Sequence, residues 1–477
     1  MKILVIGAFG TIGKALVPAL VAAGHEVSVS SRRAKNPLPW PNLPVHRFTL
    51  DLLIPETISP ALEGIELVYY LMHGMSDGQQ YTKTEVQAAQ FFVQCVNQSQ
   101  VKQVIYMGSL ISANPQSKHM QARVKTGEIL ASANMPVIEL RAGIIITPGS
   151  AAFEVMRDLV GHLPVLFAPR SIHLSSPPIA IDNLVYYLTC LGQDTFSENQ
   201  CFDALGPQWL SYVEMMQCIG KHLKRRCRVL ALPYLPLSWS SAVLGIVTSV
   251  PKHLAKALIA GLDEAIIGND KALRERYPQT LLTLDQAMEK VLAAETIKTY
   301  PQEWQDGVPE FRNFSPLHGF YAKSADIDIS IPASTRSVWQ VINLLGGKHR
   351  YFYLNMLWAM REWMDAAVGG EGRAHGRTNP DELVVGDKVD SWTILSVQPE
   401  RLLVMKFGMK APGGGGMQFR LKPNKDNTRT DMSLRLLWHP AGFWGLAYWY
   451  FFAPWHRLLL NGMTKAMAKL AMRFEQE

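Results

Sequence analysis

The sequence predicts an α/β protein: a doubly wound parallel Rossmann sheet with a small substrate lobe, followed by an α+β domain with an antiparallel sheet. In the first half, apolar runs of strand length alternate with helix-like segments. A glycine-rich turn follows the first of these runs. In the second half, strands at hairpin spacing precede a long helical segment at the carboxyl end.

Length and composition predict two domains, with three as the alternative. The chain has 477 residues, of which 48% are hydrophobic and 18% charged, so it can bury a large core. A proline-containing stretch without sustained periodicity follows residue 300 and favours a linker. We therefore expect a nucleotide-binding domain with its substrate lobe over 1–300, a linker over 301–320 and a second domain over 321–477.

Cysteine content and charge narrow the function classes. The five cysteines are widely spaced and form neither a Cys-x-x-Cys pair nor a Cys/His cluster, which favours a reduced protein without a metal. The net charge of +7 comes from scattered basic residues, so we expect no nucleic-acid partner. The first apolar run ends in glycines rather than in a signal-peptide cleavage site. We therefore expect a cytoplasmic location.

The first strand is predicted at Ile3–Ile6, and a helix at 14–23, with a glycine-rich turn between them. In such a unit one glycine permits the turn, one lets the backbone approach a pyrophosphate, and one packs the helix against the strand. We therefore expect this turn to bind a dinucleotide through Gly7, Phe9, Gly10, Thr11, Ile12 and Gly13.

The second predicted strand, His25–Ser30, indicates which dinucleotide is bound. Folds specific for NAD place a carboxylate after this strand to bind the ribose 2′-hydroxyl. This chain instead has Ser31, Arg32 and Arg33 there, which favours the 2′-phosphate of NADP(H) over NAD(H). The alternative is that both arginines are ordinary surface charges.

Further apolar runs predict the remaining strands of the parallel sheet. They occupy 45–50, 67–72, 104–107 and 137–146, and the main helix-like segments between them are 84–98 and 121–131. Alternation of this kind is typical of right-handed crossovers between parallel strands.

Several motifs at the strand ends carry a family resemblance. The glycine turn, Asp51-Leu52, Leu71-Met72-His73 and the segment around Arg141 resemble extended or atypical short-chain dehydrogenases, and more narrowly NmrA-like NAD(P)-binding proteins. The resemblance implies that Asp51 and Leu52 flank the adenine, that 71–73 line the cofactor ribose, and that Arg141 borders the nicotinamide. Asp51 is equally suited to cap a helix.

The catalytic residues depart from that family. Its members carry a Ser or Thr after the fifth strand and then Tyr-x-x-x-Lys on a helix, where both side chains share one face. Ser109 matches, but the helix has His119 and Arg123 in place of the pair. Histidine exchanges protons near neutral pH, and arginine suits a ribose or phosphate contact. Alternatively, His119 caps the helix and Arg123 only clamps the cofactor.

The second half predicts a strand at 325–331, a helix starting at Ile331–Ser334, strands at 389–398, 401–409, 416–421 and 430–438, and a helix through Phe474. This order resembles the helix-grip fold of the START and polyketide-cyclase-like superfamily. The resemblance implies an apolar cavity between the sheet and the last helix. Together, the two halves resemble a bacterial family with the same architecture.

The segment Leu436–Trp455 contains no Asp, Glu, Lys or Arg and is rich in aromatic residues. A membrane span is disfavoured by Pro440, Pro454 and the preceding strand pattern. An interfacial or ligand-lining helix is favoured, and burial in a homodimer is an alternative. Peripheral membrane contact would then involve 436–460.

Three functions follow from these observations. The first is an NADP(H)-dependent oxidoreductase for an apolar or carbonyl-bearing small molecule, with Ser109 binding the substrate oxygen and His119 or water supplying a proton. The second is a non-catalytic redox sensor that binds NADP(H) without hydride transfer. The third is a lipid-handling protein at the membrane surface.

Overall fold

The chain folds as two compact units, Met1–Ala294 and Glu295–Glu477. A computed structural model describes residues 1–32, 38–72, 81–112, 115–232, 243–250, 255, 258, 261, 264–295, 319–370, 377, 379 and 382–476. The predicted linker 301–320 lies outside the described residues except for its last two.

The first unit is built on a seven-stranded sheet whose strands are all parallel. The strands are β1 (Lys2–Ile6), β2 (Glu26–Ser31), β3 (Val45–Thr49), β4 (Leu67–Tyr70), β5 (Gln103–Ser109), β6 (Val137–Ala142) and β11 (Gln200–Ala204). Their order is β11-β6-β5-β4-β1-β2-β3. The order therefore reverses beside β1, as in a doubly wound nucleotide-binding sheet.

The helices of this sheet are α1 (Thr11–Ala22), α2 (Ile58–Ala61), α3 (Tyr81–Val96), α4 (Lys118–Leu130) and α6 (Ile181–Gln193). Ile3 and Val5 of β1 face the core formed with α1 and α6. Leu4 and Ile6 face the opposite core, formed with α3 and α4. Alternate residues of one strand are thus buried on both faces, which explains its uninterrupted apolar sequence.

A lobe of short elements completes the first unit. It contains α5 (Ala151–His162), α7 (Tyr212–His222), α8 (Lys271–Arg276), α9 (Leu284–Glu295) and strands β7 (Ile145–Ile146), β8 (Val165–Pro169), β9 (Ser175–Ser176), β10 (Ile179–Ala180), β12 (Leu210–Ser211) and β13 (Arg228–Leu232). The single strand predicted over 137–146 is wrong, because the chain leaves the sheet after Ala142 and β7 pairs with β10 instead.

The second unit contains a six-stranded antiparallel sheet of order β14-β19-β18-β17-β16-β15. Its strands are β14 (Lys323–Ile331), β15 (Lys388–Val389), β16 (Trp392–Gln398), β17 (Leu402–Phe407), β18 (Gly413–Pro423) and β19 (Thr430–Pro440). Its helices are α10 (Thr335–Asn343), α11 (Asn355–Ala367) and α12 (Gly442–Phe474). The α/β sheet followed by a separate antiparallel sheet confirms the predicted fold class.

Two predicted segments of this unit take a different form in the structure. The strand predicted at 389–398 is two strands, because Asp390 adopts a positive φ of 52° in the turn between β15 and β16. The chain over 436–440 belongs to β19, and the aromatic segment becomes helical only at Gly442. No helix within the described residues has the length and hydrophobicity that crossing a bilayer requires.

Candidate functional site

The glycine turn after β1 forces the backbone into a shape that only glycine suits. Gly7 has a φ of +84°, and a Cβ there would lie 2.9 Å from the carbonyl carbon of Leu71. A Cβ on Gly13 would lie 2.5 Å from Cα of Ala8, so this glycine lets α1 pack closely on the turn that follows β1. The Gly10 amide donates to the Gly7 carbonyl at 3.0 Å, which closes the turn.

Gly10 caps α1 through its backbone alone. It has extended geometry, with φ −75° and ψ 174°, and within the described residues no side chain bonds the start of the helix. Its Cβ would meet only the Gly7 carbonyl oxygen, at 3.2 Å. The first-turn N–H groups and the positive end of the helix dipole are thus available for an anion at the reversal of strand order.

The end of β2 holds the residues expected to select the cofactor. Ser31 is the last residue of β2, and its carbonyl accepts the Leu50 amide at 3.1 Å. Arg32 follows and is exposed, while Arg33 lies outside the described residues. The structure therefore places one of the two arginines beside the edge where a dinucleotide ribose would lie.

Asp51 does not cap a helix as one alternative supposed. Its Oδ1 accepts the Leu53 amide at 3.0 Å, which forms a local turn before the short helical segment at Pro55–Thr57. Leu52 is buried in the core on the α3 side. Leu71 and Met72 are half-buried after β4, and His73 lies outside the described residues.

Arg123 of α4 is enclosed at the carboxyl ends of β4 and β5. Its side chain is 5% exposed and pairs with Glu85 of α3, which is fully buried, at an Nη1–Oε1 distance of 2.7 Å. Nη1 also donates to the Met72 carbonyl at 3.4 Å, and Nη2 donates to the Met107 carbonyl. The guanidinium therefore joins the ends of two strands to a neighbouring helix.

Tyr106 shares this buried site. The Arg123 guanidinium carbon lies 5.1 Å from the centre of the Tyr106 ring, within cation–π range. Burial opposes the charge of Arg123, but Tyr106 and Glu85 raise its pKa above the ordinary value, so the guanidinium stays charged. Burial also raises the pKa of Tyr106 far above its usual value, which makes this hydroxyl a poor acid.

A cavity of about 310 Å³ opens between α4 and strands β5 and β6. It is lined by three residues predicted as functional, Ser109, Arg123 and Arg141, and by Glu139. Arg141 is held by Glu139 at an Nη2–Oε2 distance of 3.0 Å. The structure thus brings Ser109 and two arginines together, although the arginines already have protein partners.

His119 is the second residue of α4. Ser117 is the N-cap of this helix, and its hydroxyl accepts the Met120 amide at 3.3 Å. The alternative that His119 caps the helix is therefore wrong. The side chain of His119 lies outside the described residues.

Sequence reasoning missed Glu85, the carboxylate that holds Arg123, because the two residues are 38 positions apart along the chain. It also missed a cluster of Cys218, His222 and Asp285, whose ligand atoms lie within 4.8 Å of one another. Asp285 there accepts from His222 and from Lys221, both at 3.0 Å. Lys221 and His222 both contact Oδ1 of Asp285, so these contacts form an ion-pair network between α7 and α9.

Comparison with known proteins supports the nucleotide-binding fold. Residues 3–129 match the NAD dependent epimerase/dehydratase family. Two solved structures share the fold at a TM-score of 0.50 over 61% of this chain: a nucleoside-diphosphate-sugar epimerase from Staphylococcus aureus (14% identical, 100% covered) and an NADPH-dependent quinone oxidoreductase from Escherichia coli (15% identical, 99% covered). Residues 3–129 are therefore similar to NAD-dependent epimerase/dehydratase domains, and the first unit has a Rossmann-type fold.

Two further matches concern smaller parts of the chain. Residues 321–463 match a family described as a protein of unknown function, DUF2867. A stretch of 122 residues, 24% of this chain, is 32% identical to sterol demethylase protein B of Methylococcus capsulatus. The match spans 37% of the length of that relative.

Proposed function

We propose that this protein binds NADP(H) at the glycine turn after β1 and is an oxidoreductase for an apolar, carbonyl-bearing substrate. The observation that carries the proposal is the geometry of Gly7, Gly10 and Gly13 at the reversal of strand order. That geometry leaves backbone N–H groups free of side-chain caps at the start of α1 among the described residues. These are the requirements for binding a pyrophosphate.

The preference for NADP(H) over NAD(H) rests on the end of β2. Arg32 and Arg33 follow Ser31, and no carboxylate stands there to accept bonds from a free ribose 2′-hydroxyl. A guanidinium forms charge-assisted hydrogen bonds with phosphate oxygens. The 2′-phosphate of NADP(H) therefore suits this position better than a hydroxyl.

Bound NADPH would supply a hydride to a substrate carbonyl, and the resulting oxygen needs a proton. Ser109 ends β5 and lines the cavity, so we assign it to hydrogen-bonding the substrate oxygen. We assign the proton to His119 or to water. Arg123 is assigned a positioning role, since Nη1 and Nη2 both donate to protein acceptors.

The apolar substrate class has two supports. The lobe that follows the sheet is rich in apolar side chains, although Phe153 and Met156 are buried in it and serve as core rather than as pocket lining. Phe167 on β8 is 56% exposed and is free to meet a ligand. The relative from Methylococcus capsulatus is named as a sterol demethylase protein. This name favours polycyclic apolar ketones among the candidate substrates.

A direct test follows NADPH oxidation with a panel of steroid ketones, quinones and aldehydes. Wild type should oxidise NADPH with at least one apolar carbonyl compound, and His119→Ala should be slower by roughly a hundredfold if histidine is the proton donor. His46→Ala, a change at an exposed histidine on β3, should match wild type. Activity of His119→Ala equal to wild type would assign the proton to water instead.

The buried Arg123–Glu85 pair favours a second candidate function, a redox sensor that binds NADP(H) without hydride transfer. Arg123 occupies the position of the usual catalytic lysine, and both of its terminal nitrogens donate hydrogen bonds to other groups of the protein. Complete absence of NADPH oxidation across the panel, with NADPH binding retained, would favour this function over the oxidoreductase.

We further propose that the second unit is a ligand-holding domain of the helix-grip type. Its six-stranded antiparallel sheet and the long helix α12 enclose a core that includes Trp392, Phe419 and Met463. The cytoplasmic location and the homodimer stay predictions, as does the expected absence of a nucleic-acid partner.

A further inference from the structure

The second unit exposes large apolar side chains on two of its helices. We call this set the aromatic surface: Met356, Met360, Trp363 and Met364 of α11, and Phe443, Trp444, Phe451, Trp455 and Leu458 of α12. Met356, Trp363, Trp444 and Phe451 are each more than 70% exposed, at 78%, 71%, 74% and 72%. Soluble proteins rarely expose large contiguous apolar patches unless something covers them.

The spacing puts each group, apart from Phe443, on one face of its helix. On α11 the exposed residues recur at intervals of three and four, and on α12 Trp444, Phe451, Trp455 and Leu458 follow one stripe. The opposite side of α12 is buried in the core through Leu460, Met463 and Met467. The two helices are neighbours, since Nε of Arg361 on α11 donates to the Tyr448 hydroxyl on α12 at 3.0 Å.

The charged residues of α12 are all basic. The chain has no Asp or Glu between Asp431 and Glu475, a stretch that includes all of α12. Arg457, Lys465 and Lys469 of α12 are exposed.

The two carboxylates of α11 are withdrawn from the surface. Glu362 is 2% exposed and pairs with Arg350, and Asp365 is fully buried and accepts the Lys410 amide at 2.6 Å. The solvent-exposed groups on these two helices are therefore aromatic, aliphatic and cationic, because both carboxylates of α11 are buried.

We propose that the aromatic surface docks on an anionic lipid bilayer. Trp, Tyr and Phe side chains partition into the headgroup region, and Lys and Arg side chains attract anionic headgroups. The helix lies on the bilayer rather than across it, because its opposite side belongs to the core of the second unit. The inference is independent of the nucleotide-binding function.

A second copy of the chain fits this surface less well. In a two-fold symmetric contact the same patch meets itself, so the cations of α12 would face their own equivalents. Like charges across a contact oppose association. An anionic bilayer accepts the aromatic and the cationic groups together.

The test is sedimentation of the full-length protein with vesicles of phosphatidylcholine alone or with added phosphatidylglycerol. Wild type should bind the anionic vesicles and leave the neutral ones largely unbound. The variant Trp363→Ser/Trp444→Ser/Phe451→Ser should bind the anionic vesicles at least about tenfold more weakly, since each change removes a large apolar side chain from the contact. Because all three side chains are exposed, circular dichroism should be unchanged.

The matched control is Phe167→Ser/Trp209→Ser, which removes exposed aromatics of the first unit, 56% and 47% exposed, and should bind as wild type does. Equal binding of wild type to both kinds of vesicle, or to neither, would overturn the proposal. So would undiminished binding by the triple variant. A different result would assign the surface to a second copy of the chain. In that case light scattering would show a dimeric wild type and a monomeric triple variant, and wild type would bind neither kind of vesicle.

Discussion

Arg123 of α4 and Glu85 of α3 form an ion pair that is almost entirely removed from water, with an Nη1–Oε1 distance of 2.7 Å. The same guanidinium bonds the carbonyl of Met72, and Leu71 beside it contacts the glycine turn, where a Cβ on Gly7 would meet its carbonyl. The pair therefore supports the segment against which the glycine turn is packed. The role of the ion pair is to hold the backbone of Leu71 and Met72 in place beside the glycine turn.

Removal of one partner of this pair should destabilise the first unit strongly. Glu85→Ala leaves the Arg123 charge buried without its carboxylate, and the free energy of unfolding should fall by about 3–5 kcal/mol. Denaturant unfolding measures the change. Lys125→Ala, which removes an exposed partner of Glu128 on the same helix, should change stability by less than about 0.5 kcal/mol. Equal effects of the two substitutions would refute the structural role.

Gly13→Ala should disturb the turn, because the added Cβ would lie 2.5 Å from backbone atoms of Ala8 that cannot move independently. We expect a loss of roughly 1–3 kcal/mol in stability, together with weaker dinucleotide binding. Gly161→Ala is the matched control, since that helical glycine has no atom within 4 Å of the added Cβ. Thermal unfolding of both variants makes the comparison, and an unaffected Gly13→Ala protein would contradict the close packing of α1.

Arg32→Ala should weaken NADPH binding by roughly tenfold or more and leave NADH binding nearly unchanged, because only NADPH carries the 2′-phosphate. Arg47→Ala, a change at an exposed arginine on β3, is the control and should affect neither cofactor. Fluorescence titration with each cofactor gives both affinities. A parallel loss for NADPH and NADH would mean that Arg32 does not contact the phosphate.

His456 of α12 should make stability depend on pH. Burial lowers its pKa to about 4, below the value of roughly 6.5 expected in the unfolded chain. A lowered histidine pKa means that the proton binds the unfolded state more tightly, so this contribution is complete above about pH 6.5 and is lost as pH falls towards 4.

The measurement is the difference in unfolding free energy between wild type and His456→Gln from pH 7 to pH 4. From pH 7 to pH 4, the unfolding free energy of wild type should fall by up to about 3 kcal/mol relative to that of the variant. Comparison with the variant cancels the effect of carboxylates that titrate elsewhere in the protein. A difference that does not vary with pH would show that His456 is as solvated in the folded protein as in the unfolded one.

The sequence predicted the local features of the fold well. Strand β1, the glycine turn and α1 follow one another within residues 2–22, so short-range periodicity and glycine chemistry were sufficient. The fold class followed from the alternation of strands and helices, and the fold match over 61% of the chain confirms it. The assignments of individual site residues stay predictions.

Features that depend on distant parts of the chain were not predictable in this way. Glu85 was missed as the partner of Arg123 because nothing in local periodicity links α3 to α4. The break between β15 and β16 depends on a positive φ at Asp390, a conformation that aspartate tolerates but does not require. The exposed face of α11 was missed because no helix was predicted over 355–367.

The central claim is that the glycine turn after β1 binds NADP(H), and calorimetric titration of the full-length protein with NADPH and NADH tests it most directly. We predict that NADPH binds wild type at least about tenfold more tightly than NADH, through charge-assisted contacts to the 2′-phosphate. Gly10→Val should remain folded, because Gly10 has an ordinary φ of −75°. It should give no binding heat, because the side chain enters the space of the pyrophosphate. Equal affinities for the two cofactors, or NADPH binding retained by Gly10→Val, would contradict the account.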